Sequence, residues 1–424
     1  MIKKTFCDPI TQESYILAHH PTGLQIYLMP RQQYSSSYAV FGTRYGSVDV
    51  SFKTDKGDII VPEGIAHFLE HKLFESEDGD AFTRFSATGA NANAYTSFDR
   101  TCYLFSCTSR FEENLEILLD FVQSPYFTEQ TVNKEQGIIG QEIRMYDDVP
   151  SWCVLFNMLQ AMYKNHPVRV DIAGTVESIS QITSDLLYSC YNTFYNPSNM
   201  YICIAGNFDA DKALEIIEKG IKGNDKKQVV KPSYYELPGI VQPYVEKSLA
   251  VAMPVFSFGY KEDCKGLRSL KQRLSSEILL DIIASNTSPL FEKLMDAGLI
   301  NDEFGFEYFM GQDFAVPMFQ GESSDPKAVA KMINEEIRRL KREGIDKKEF
   351  EISYKSAWAS AVARTEGNNS AVSAMIDCAM YGEGLFDQLK VLKELTIADI
   401  NEALSRIDTN ASVLSVINSN SKGE

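Results

Sequence analysis

The chain has 424 residues, which is too many for one ordinary hydrophobic core and predicts two or three domains. Its apolar fraction of 44% and its charged fraction of 23% are typical of a globular protein and exclude a chain that is disordered throughout. The formal net charge of −17 argues against a basic surface for nucleic acid, so we expect no nucleic-acid partner.

The N-terminal sequence MIKKTFCDPITQESY has two lysines but lacks the apolar core of a signal peptide. No apolar run approaches the ~18 residues that a bilayer-spanning helix needs, so we expect no membrane span. The eight cysteines are scattered and form no CxxC pair, which favours buried, reduced thiols over a disulfide framework. Together these features predict a cytoplasmic protein.

The first predicted element that carries candidate catalytic residues is VPEGIAHFLEHKLFE, residues 61–75, whose apolar residues follow a helical period. The chain has only five histidines, and two of them, His67 and His71, stand four residues apart here with Glu70 between them. Residues at this spacing lie one above the other on a helix. Two imidazoles can then occupy adjacent corners of a metal site, with a carboxylate beside them to activate water.

This H-x-x-E-H order is the inverzincin signature. The alternative interpretation is a helix with two surface or capping histidines. A catalytic zinc site needs three protein ligands and a water molecule. The remaining histidines have no matching helical context, which favours a carboxylate as the third ligand.

The segment NKEQGIIGQEIRMYDDVP, residues 133–150, offers candidates for that ligand. Glu135 and Glu142 fall on one helical face with isoleucines between them, a face that otherwise reads as buried. One of them could bind metal while the other orients a ligand from outside the first coordination shell. Asp147 and Asp148 are weaker candidates because they lie toward the helix end, and an ordinary, partly exposed acidic helix remains the alternative.

The two halves of the chain resemble each other. SISQITSDLLYSCYNTFYNPSNMYICIAGNF in the first half and VLKELTIADINEALSRIDTNASVLSVINS in the second both predict a helix start, a helix, a turn and a strand. Thr183 and Thr396 each precede an acidic residue in a first helical turn, a helix-start signal. The pattern predicts an α+β fold class with two homologous domains, each an antiparallel or mixed β-sheet packed with helices.

A stretch rich in lysine, glycine and proline separates these halves and lacks both helical and alternating periodicity. The predicted organisation is an N-terminal domain with the metal motif over residues 1–220, a linker over 221–239, and a homologous C-terminal domain over 240–424. The second half contains no H-x-x-E-H, so we expect one metal ion per chain.

At this point the sequence resembles the pitrilysin/insulinase family of zinc metallopeptidases, which also includes the mitochondrial processing peptidases. The likeness rests on HFLEH followed by the two downstream glutamates, and on three further segments: ATGANANAYTSFDRTCYLF, HPVRVDIAGTVESISQIT and YNPSNMYICIAGNF. By this resemblance His67, His71 and Glu142 match the zinc ligands, Glu70 matches the general base, and Glu135 matches the supporting acid outside the first shell.

The resemblance also implies how a substrate binds. Asn93, Ala94 and Tyr95 match the edge strand that receives a peptide, since an open strand edge offers backbone N–H and C=O groups to an extended chain. From pattern alone, NANAYTSF is equally well explained as an ordinary edge strand. The implied activity is zinc-dependent hydrolysis of peptides or small unfolded proteins, with one Zn²⁺ per chain.

One segment departs from the family pattern. Many members carry an arginine and a tyrosine in F-x-x-L-R-E-x-G-L-x-Y, where this chain reads FEKLMDAGLIN and places Met295 and Asn301. Neither side chain can donate as Arg and Tyr do. The resemblance therefore implies that this chain is the zinc-bearing subunit of a dimer and forms one half of its clamshell. A partner chain of the same family would supply the Arg/Tyr pair; a homodimer is the alternative.

Two other functions compete with a peptidase. One is a non-catalytic subunit that binds peptides or assembles with a partner, but family members of that kind usually lose the H-x-x-E-H motif, which is intact here. The other is a storage or structural zinc site, which would need a fourth protein ligand that the sequence does not offer.

Overall fold

The computed structural model describes residues 1–54, 57–77, 79–223 and 229–420. The strands are β1 Ile2–Cys7, β2 Ser14–His19, β3 Gln25–Pro30, β4 Ser37–Thr43, β5 Ser51–Thr54, β6 Gly57–Ile60, β7 Glu75–Ser76, β8 Gly79–Asp80, β9 Asn91–Thr96, β10 Thr101–Cys107, β11 Met200–Gly206, β12 Tyr244–Leu249, β13 Val255–Tyr260, β14 Gly305–Gly311, β15 Phe314–Glu322 and β16 Ser412–Ser419. The α-helices are α1 Ile65–Leu73, α2 Ala81–Thr88, α3 Phe111–Val122, α4 Glu129–Tyr146, α5 Pro150–Met162, α6 Val176–Ile179, α7 Ser184–Phe194, α8 Ala210–Gly220, α9 Leu270–Ala284, α10 Pro289–Asp296, α11 Pro326–Glu343, α12 Lys347–Ala363, α13 Asn368–Tyr381, α14 Asp387–Glu394 and α15 Ile397–Arg406.

Two sheets that share a five-strand pattern, to which the first sheet adds two strands, confirm the predicted α+β class with two related, sheet-containing halves. In the first sheet the order is β1-β2-β3-β11-β4-β10-β9, and in the second it is β12-β16-β13-β15-β14. Both contain one parallel pair, β3 with β11 and β12 with β16, followed by antiparallel pairing to the edge strands β9 and β14. The predicted helix starts are also confirmed: Thr183 accepts a hydrogen bond from the N–H of Leu186, and Asp399 accepts one from the N–H of Thr396.

The chain divides into two compact units, each built from three segments. The first unit comprises Met1–Ile143, Asp171–Pro232 and Val362–Phe386. The second comprises Arg144–Val170, Ser233–Ala361 and Asp387–Glu424. These units differ from the predicted domains, 1–220 and 240–424, because one segment of each half belongs to the other half's unit.

The segments that cross the predicted boundary each supply a helix to a sheet. Helix α13 packs on β11 and β4 of the first sheet, where its Ala371 and Met375 are fully buried. Helix α5 packs on β16 and β13 of the second sheet, where its Val154 meets Ile417. Each sheet is thus covered on one face by helices from its own half of the sequence and on the other by one helix from the opposite half.

The second half of the predicted linker is held by two charged side chains, Lys231 and Glu236, and residues 224–228 lie outside the described part of the chain. In the first unit, the ammonium group of Lys231 donates to Asp49, at 2.8 Å, and to the carbonyl oxygen of Arg44. In the second unit, the carboxylate of Glu236 accepts hydrogen bonds from successive backbone N–H groups of residues 164–166.

Among the described residues, no helix is both long enough and apolar enough to cross a lipid bilayer.

Replacing Glu236 by alanine should lower the free energy of unfolding by about 2 kcal/mol at neutral pH, because charged hydrogen bonds to a mostly buried carboxylate are lost. Burial would raise the pKa of Glu236, but the three backbone N–H groups and Lys261 outweigh it and lower that pKa to about 2. The carboxylate's contribution is therefore present above its ordinary pKa of about 4.3 and disappears as the pH falls through 2. Chemical denaturation of E236A and wild type between pH 7 and pH 2 measures the difference.

The matched control is Glu335→Ala, which removes an exposed carboxylate paired only loosely with Lys331, at 3.8 Å. Its effect should stay within about 0.5 kcal/mol at every pH. If E236A unfolds like E335A, the carboxylate does not anchor this segment.

Candidate metal centre

Helix α1, which carries the H-x-x-E-H sequence, begins where two loops come so close together that only glycine fits at the point of contact. Gly64 caps the helix with a φ of 86°, and a Cβ atom there would lie 2.3 Å from the carbonyl oxygen of Ala173. Gly174 on the facing loop also has a positive φ, and its own Cβ would meet the carbonyl oxygen of Glu63 at 2.6 Å. The hydroxyl of Ser178 donates to that same carbonyl at 2.8 Å. The segment AGTVES therefore fixes the starting point of α1.

The buried face of α1 fixes the helix's rotation. Its apolar side chains are all almost fully buried in the core of the first unit: Ile65, Ala66, Phe68, Leu69 and Leu73. The side chains of His67 and His71 stand on the adjoining stripe and are 12% and 26% exposed. Their rings lie 4.6 Å apart between centroids, as the spacing of one helical turn dictates.

Helix α4 brings the third group. The Nε2 atom of His67 lies 3.8 Å from Oε1 of Glu142, and Nε2 of His71 lies 3.5 Å from Oε2 of the same carboxylate. One ligand atom from each of the three residues falls within 4.8 Å of the others. In the described part of the chain, no other group of three His, Cys, Asp or Glu residues comes together in this way.

The spacing of these three residues and the protonation of His67 fit a divalent cation. Two bonds of ~2.1 Å at a tetrahedral angle of ~109° separate ligand atoms by roughly 3.4 Å, close to the distances observed. Burial, and to a smaller extent the neighbouring His71, lower the pKa of His67 to about 3. Its imidazole is therefore neutral at physiological pH and has a lone pair to offer.

Glu135 orients the second histidine. Its Oε1 atom lies 3.0 Å from Nδ1 of His71, and its side chain is only 7% exposed. Burial alone would lower the pKa of His71, but the hydrogen bond with Glu135 and the nearby carboxylates outweigh it and raise that pKa. A proton on Nδ1 that is held by Glu135 leaves Nε2 directed at Glu142, which is the arrangement that sets the tautomer of a metal-binding histidine.

Glu70 stands on the same helix and is held from the other side by a strand. It is 8% exposed, and its Oε2 atom accepts a hydrogen bond of 2.6 Å from the hydroxyl of Thr96. Burial raises the pKa of the Glu70 carboxyl, and the hydrogen bond from Thr96 opposes part of that rise. A carboxylate with a raised pKa, beside a group of metal-ligand type, is a stronger base toward water than an ordinary carboxylate.

The strand that carries Thr96, β9, is an edge strand whose open side is available. Among the described strands it pairs only with β10, and the turn that joins them closes with a bond from the N–H of Ser97 to the carbonyl of Arg100. Since hydrogen-bonded positions alternate along an antiparallel pair, the backbone groups of Ala94 and Thr96 point away from β10. In agreement, the N–H of Ala94 donates to the side chain of Asn93, at 2.9 Å.

The remaining predicted substrate residue, Tyr95, and the weaker ligand candidates lie apart from the His–His–Glu group. Tyr95 projects to the sheet face opposite α1 and is 39% exposed. Asp147 and Asp148, predicted as weaker ligand candidates, take no part in the His–His–Glu group.

Sequence reasoning missed Thr96, although the alternation of β9 already put it on the same face as Ala94. It also missed the tight contact of Gly64 with Gly174, because the two residues are far apart in the sequence and no local pattern links them.

Comparison with known families covers most of the chain. The family described as Insulinase (Peptidase family M16) matches residues 61–176, which contain the whole candidate centre. The family described as Peptidase M16 inactive domain matches residues 181–355.

Similar proteins support the same assignment. YmfH of Bacillus subtilis (strain 168), described as an uncharacterized zinc protease, is 40% identical over 401 residues, which cover 93% of this chain and 94% of that protein. A crystal structure described as an M16-like peptidase, from Alicyclobacillus acidocaldarius, is 36% identical, with a TM-score of 0.92 over 96% of this chain and 98% of the other. A protease from Helicobacter pylori shares the fold at 20% identity, with a TM-score of 0.83 over 96% of this chain and 99% of its own.

Proposed function

Because this chain belongs to the insulinase family, peptidase family M16, we propose that it is a zinc-dependent endopeptidase that hydrolyses peptides or small unfolded proteins. The observation that supports this most directly is the meeting of His67, His71 and Glu142, with the buried carboxylate of Glu70 on the same helix. Such a site offers three ligands from the protein, the number that catalytic zinc sites use together with a water molecule.

The chain's own groups divide the chemistry between them. The two histidines and Glu142 would hold the Zn²⁺ ion, one per chain, and Glu135 would fix the orientation of His71. When bound, the ion supplies Lewis acidity, which polarises a carbonyl group and makes nearby water more acidic. Glu70 accepts the proton of the attacking water and returns it to the amine that leaves.

The substrate would extend β9. A peptide that pairs with the open edge would use the backbone groups of Ala94 and Thr96, and the side chain of Asn93 would have to release the N–H of Ala94. The side chains of Ala94 and Thr96 lie on the face toward α1, so the scissile bond would pass close to Glu70. Tyr95, on the other face, would contact the peptide from the side.

The experiment that tests this function is hydrolysis of a mixed peptide pool by the purified chain loaded with zinc. We expect cleavage that a chelator abolishes and that added Zn²⁺ restores. A chain that binds about one zinc ion per molecule but cleaves no peptide, alone or with candidate partners, would instead be a non-catalytic peptide-binding or assembly subunit.

We further propose that activity depends on a second chain. Met295 on α10 has no hydrogen-bond donor, and the side-chain amide of Asn301 already donates to Glu322 at 2.8 Å, so neither side chain matches the donors of the family's Arg and Tyr. A partner of the same family would supply that pair in a clamshell dimer, with a homodimer as the alternative. Light scattering and peptidase assays, with and without a candidate partner, distinguish these; full activity from a monomer would contradict both.

Replacing Glu135 by glutamine should weaken zinc binding by about 10- to 100-fold while leaving the ligand set intact, since an amide orients the His71 ring less strongly than a carboxylate. Competition with a fluorescent chelator measures the change. Glu129→Gln, at the start of the same helix, serves as the control. Equal affinity of E135Q and wild type would remove Glu135 from the site.

A further inference from the structure

The hydroxyl hydrogen of Thr96 is committed to Glu70. The Thr96 hydroxyl lies 2.6 Å from Oε2 of Glu70 and 3.4 Å from the hydroxyl of Thr101. Thr101 uses its own hydrogen for the carbonyl oxygen of Tyr45, at 2.8 Å. A hydroxyl has one hydrogen to donate, and a short bond to a carboxylate is the stronger of the two that are open to Thr96.

This bond fixes the side chain of Glu70. With Oε2 held by Thr96, the rotation of the carboxyl group is restricted, and Oε1 makes no hydrogen bond to any described residue. Glu70 is 8% exposed, so few solvent molecules can replace the hydroxyl if it is removed. The oxygen that would receive a proton from water is therefore set by a residue that does not itself react.

The same residue also belongs to the open edge of the sheet. The backbone N–H and C=O of Thr96 point away from β10, as those of Ala94 do. A peptide paired with this edge would therefore bind the backbone of Thr96, while the side chain of Thr96 holds Glu70. One residue connects the strand that would hold the substrate to the carboxylate that would act on it.

We propose that Thr96 is a positioning residue, which sets the geometry of Glu70 relative to a peptide bound along β9. This inference rests on the proposed function. It predicts that the hydroxyl acts on turnover and hardly on peptide binding, because the backbone of Thr96 is unchanged when its hydroxyl is removed.

The test compares Thr96→Val with Thr96→Ser in the zinc-loaded chain, together with whatever partner activity requires. Valine keeps the β-branched shape and removes the hydroxyl, whereas serine keeps the hydroxyl. We expect T96V to lose about 10- to 100-fold in kcat, with KM within about twofold and zinc content unchanged. T96S should retain kcat within about threefold of wild type. The control is Thr88→Val, in the same unit, which removes a buried hydroxyl that is hydrogen-bonded to Asn114.

Three kinetic outcomes of the Thr96 variants would overturn the inference. They are a T96V variant as active as wild type, a T96V effect confined to KM, and a T96S variant as impaired as T96V. Loss of kcat in T88V equal to that in T96V would do the same, since it would indicate a general effect of losing a buried hydroxyl.

A second measurement separates this inference from the proposed function. Unfolding midpoints of T96V, Glu70→Ala and the double variant form a cycle that needs no activity, and coupling between the two residues makes their effects non-additive. If wild type cleaves no peptide and the cycle is non-additive, the proposed function fails while the hold of Thr96 on Glu70 is supported. Additive effects overturn the inference whatever the activity.

Discussion

Glu70→Gln is expected to bind zinc like the wild-type chain and to lose about 10²–10⁴-fold in kcat, the range that general-base catalysis contributes. The structure separates these two properties, because Glu70 lies outside the group formed by His67, His71 and Glu142 and is held instead by Thr96. Glutamine has the same size and can still accept that hydrogen bond, but it cannot take a proton from water. Metal analysis and peptide hydrolysis on the same protein preparation measure both properties.

The matched control is Glu116→Gln, which changes an exposed carboxylate in the same unit and should leave both properties unchanged. Two results would contradict the role given to Glu70. Zinc lost together with activity would make Glu70 a ligand, and full activity with bound zinc would mean that another group accepts the proton.

His71→Ala is expected to lose both properties at once. It removes one of three ligands and also leaves the buried carboxylate of Glu135 without its partner. Zinc affinity should fall by more than the ~10- to 100-fold expected when an outer partner such as Glu135 is altered. The zinc content of the purified protein should drop from about one ion per chain to a small fraction of that, as three-ligand catalytic sites require.

His19→Ala is the control, since His19 is exposed on β2 and belongs to no group of potential ligands among the described residues. It should retain zinc and activity. A His71→Ala variant that keeps one equivalent of zinc would place the ion elsewhere. It would then remove the basis for assigning Glu70 and Glu135, since both assignments depend on the ion's position.

These variants together distinguish the possible roles of the centre. Loss of activity in E70Q with zinc retained indicates a catalytic ion. Loss of zinc in H71A without any peptidase activity in the wild type indicates a metal-binding subunit that needs a partner or does not catalyse. In either case, an effect of E135Q on zinc affinity that is weaker than that of H71A separates a supporting residue from a ligand.

Local periodicity in the amino-acid sequence was enough to predict several parts of this protein. The spacing of His67, Glu70 and His71 fixes which helix face they share, since 3.6 residues make one turn. The two-fold repeat of helix, turn and strand is equally local and predicted two similar sheets. The alternation in NANAYTSF marked a strand, and its place at the edge of the sheet agrees with the pairing observed.

The pairing of Glu142, rather than Glu135, with the two histidines was assigned in advance only by resemblance to a family. The helical spacing of these glutamates shows that they share a face, but which one reaches the imidazoles depends on how α4 docks against α1. That docking is decided by packing between residues distant in sequence, such as Val132 and Ile139 of α4, which are buried in the same core as the apolar face of α1.

Two further features were decided by the tertiary structure alone. Helices α5 and α13 each cover a sheet from the opposite half of the sequence. The hydrophobic effect is non-directional, so the apolar face of a helix can be buried against any sheet of complementary shape, whichever half of the sequence that sheet comes from. The hydrogen bond from Thr96 to Glu70 likewise joins a strand to a helix across 26 positions of sequence. Side-chain contacts between separate elements depend on the three-dimensional register of those elements, which no periodicity within either one can specify.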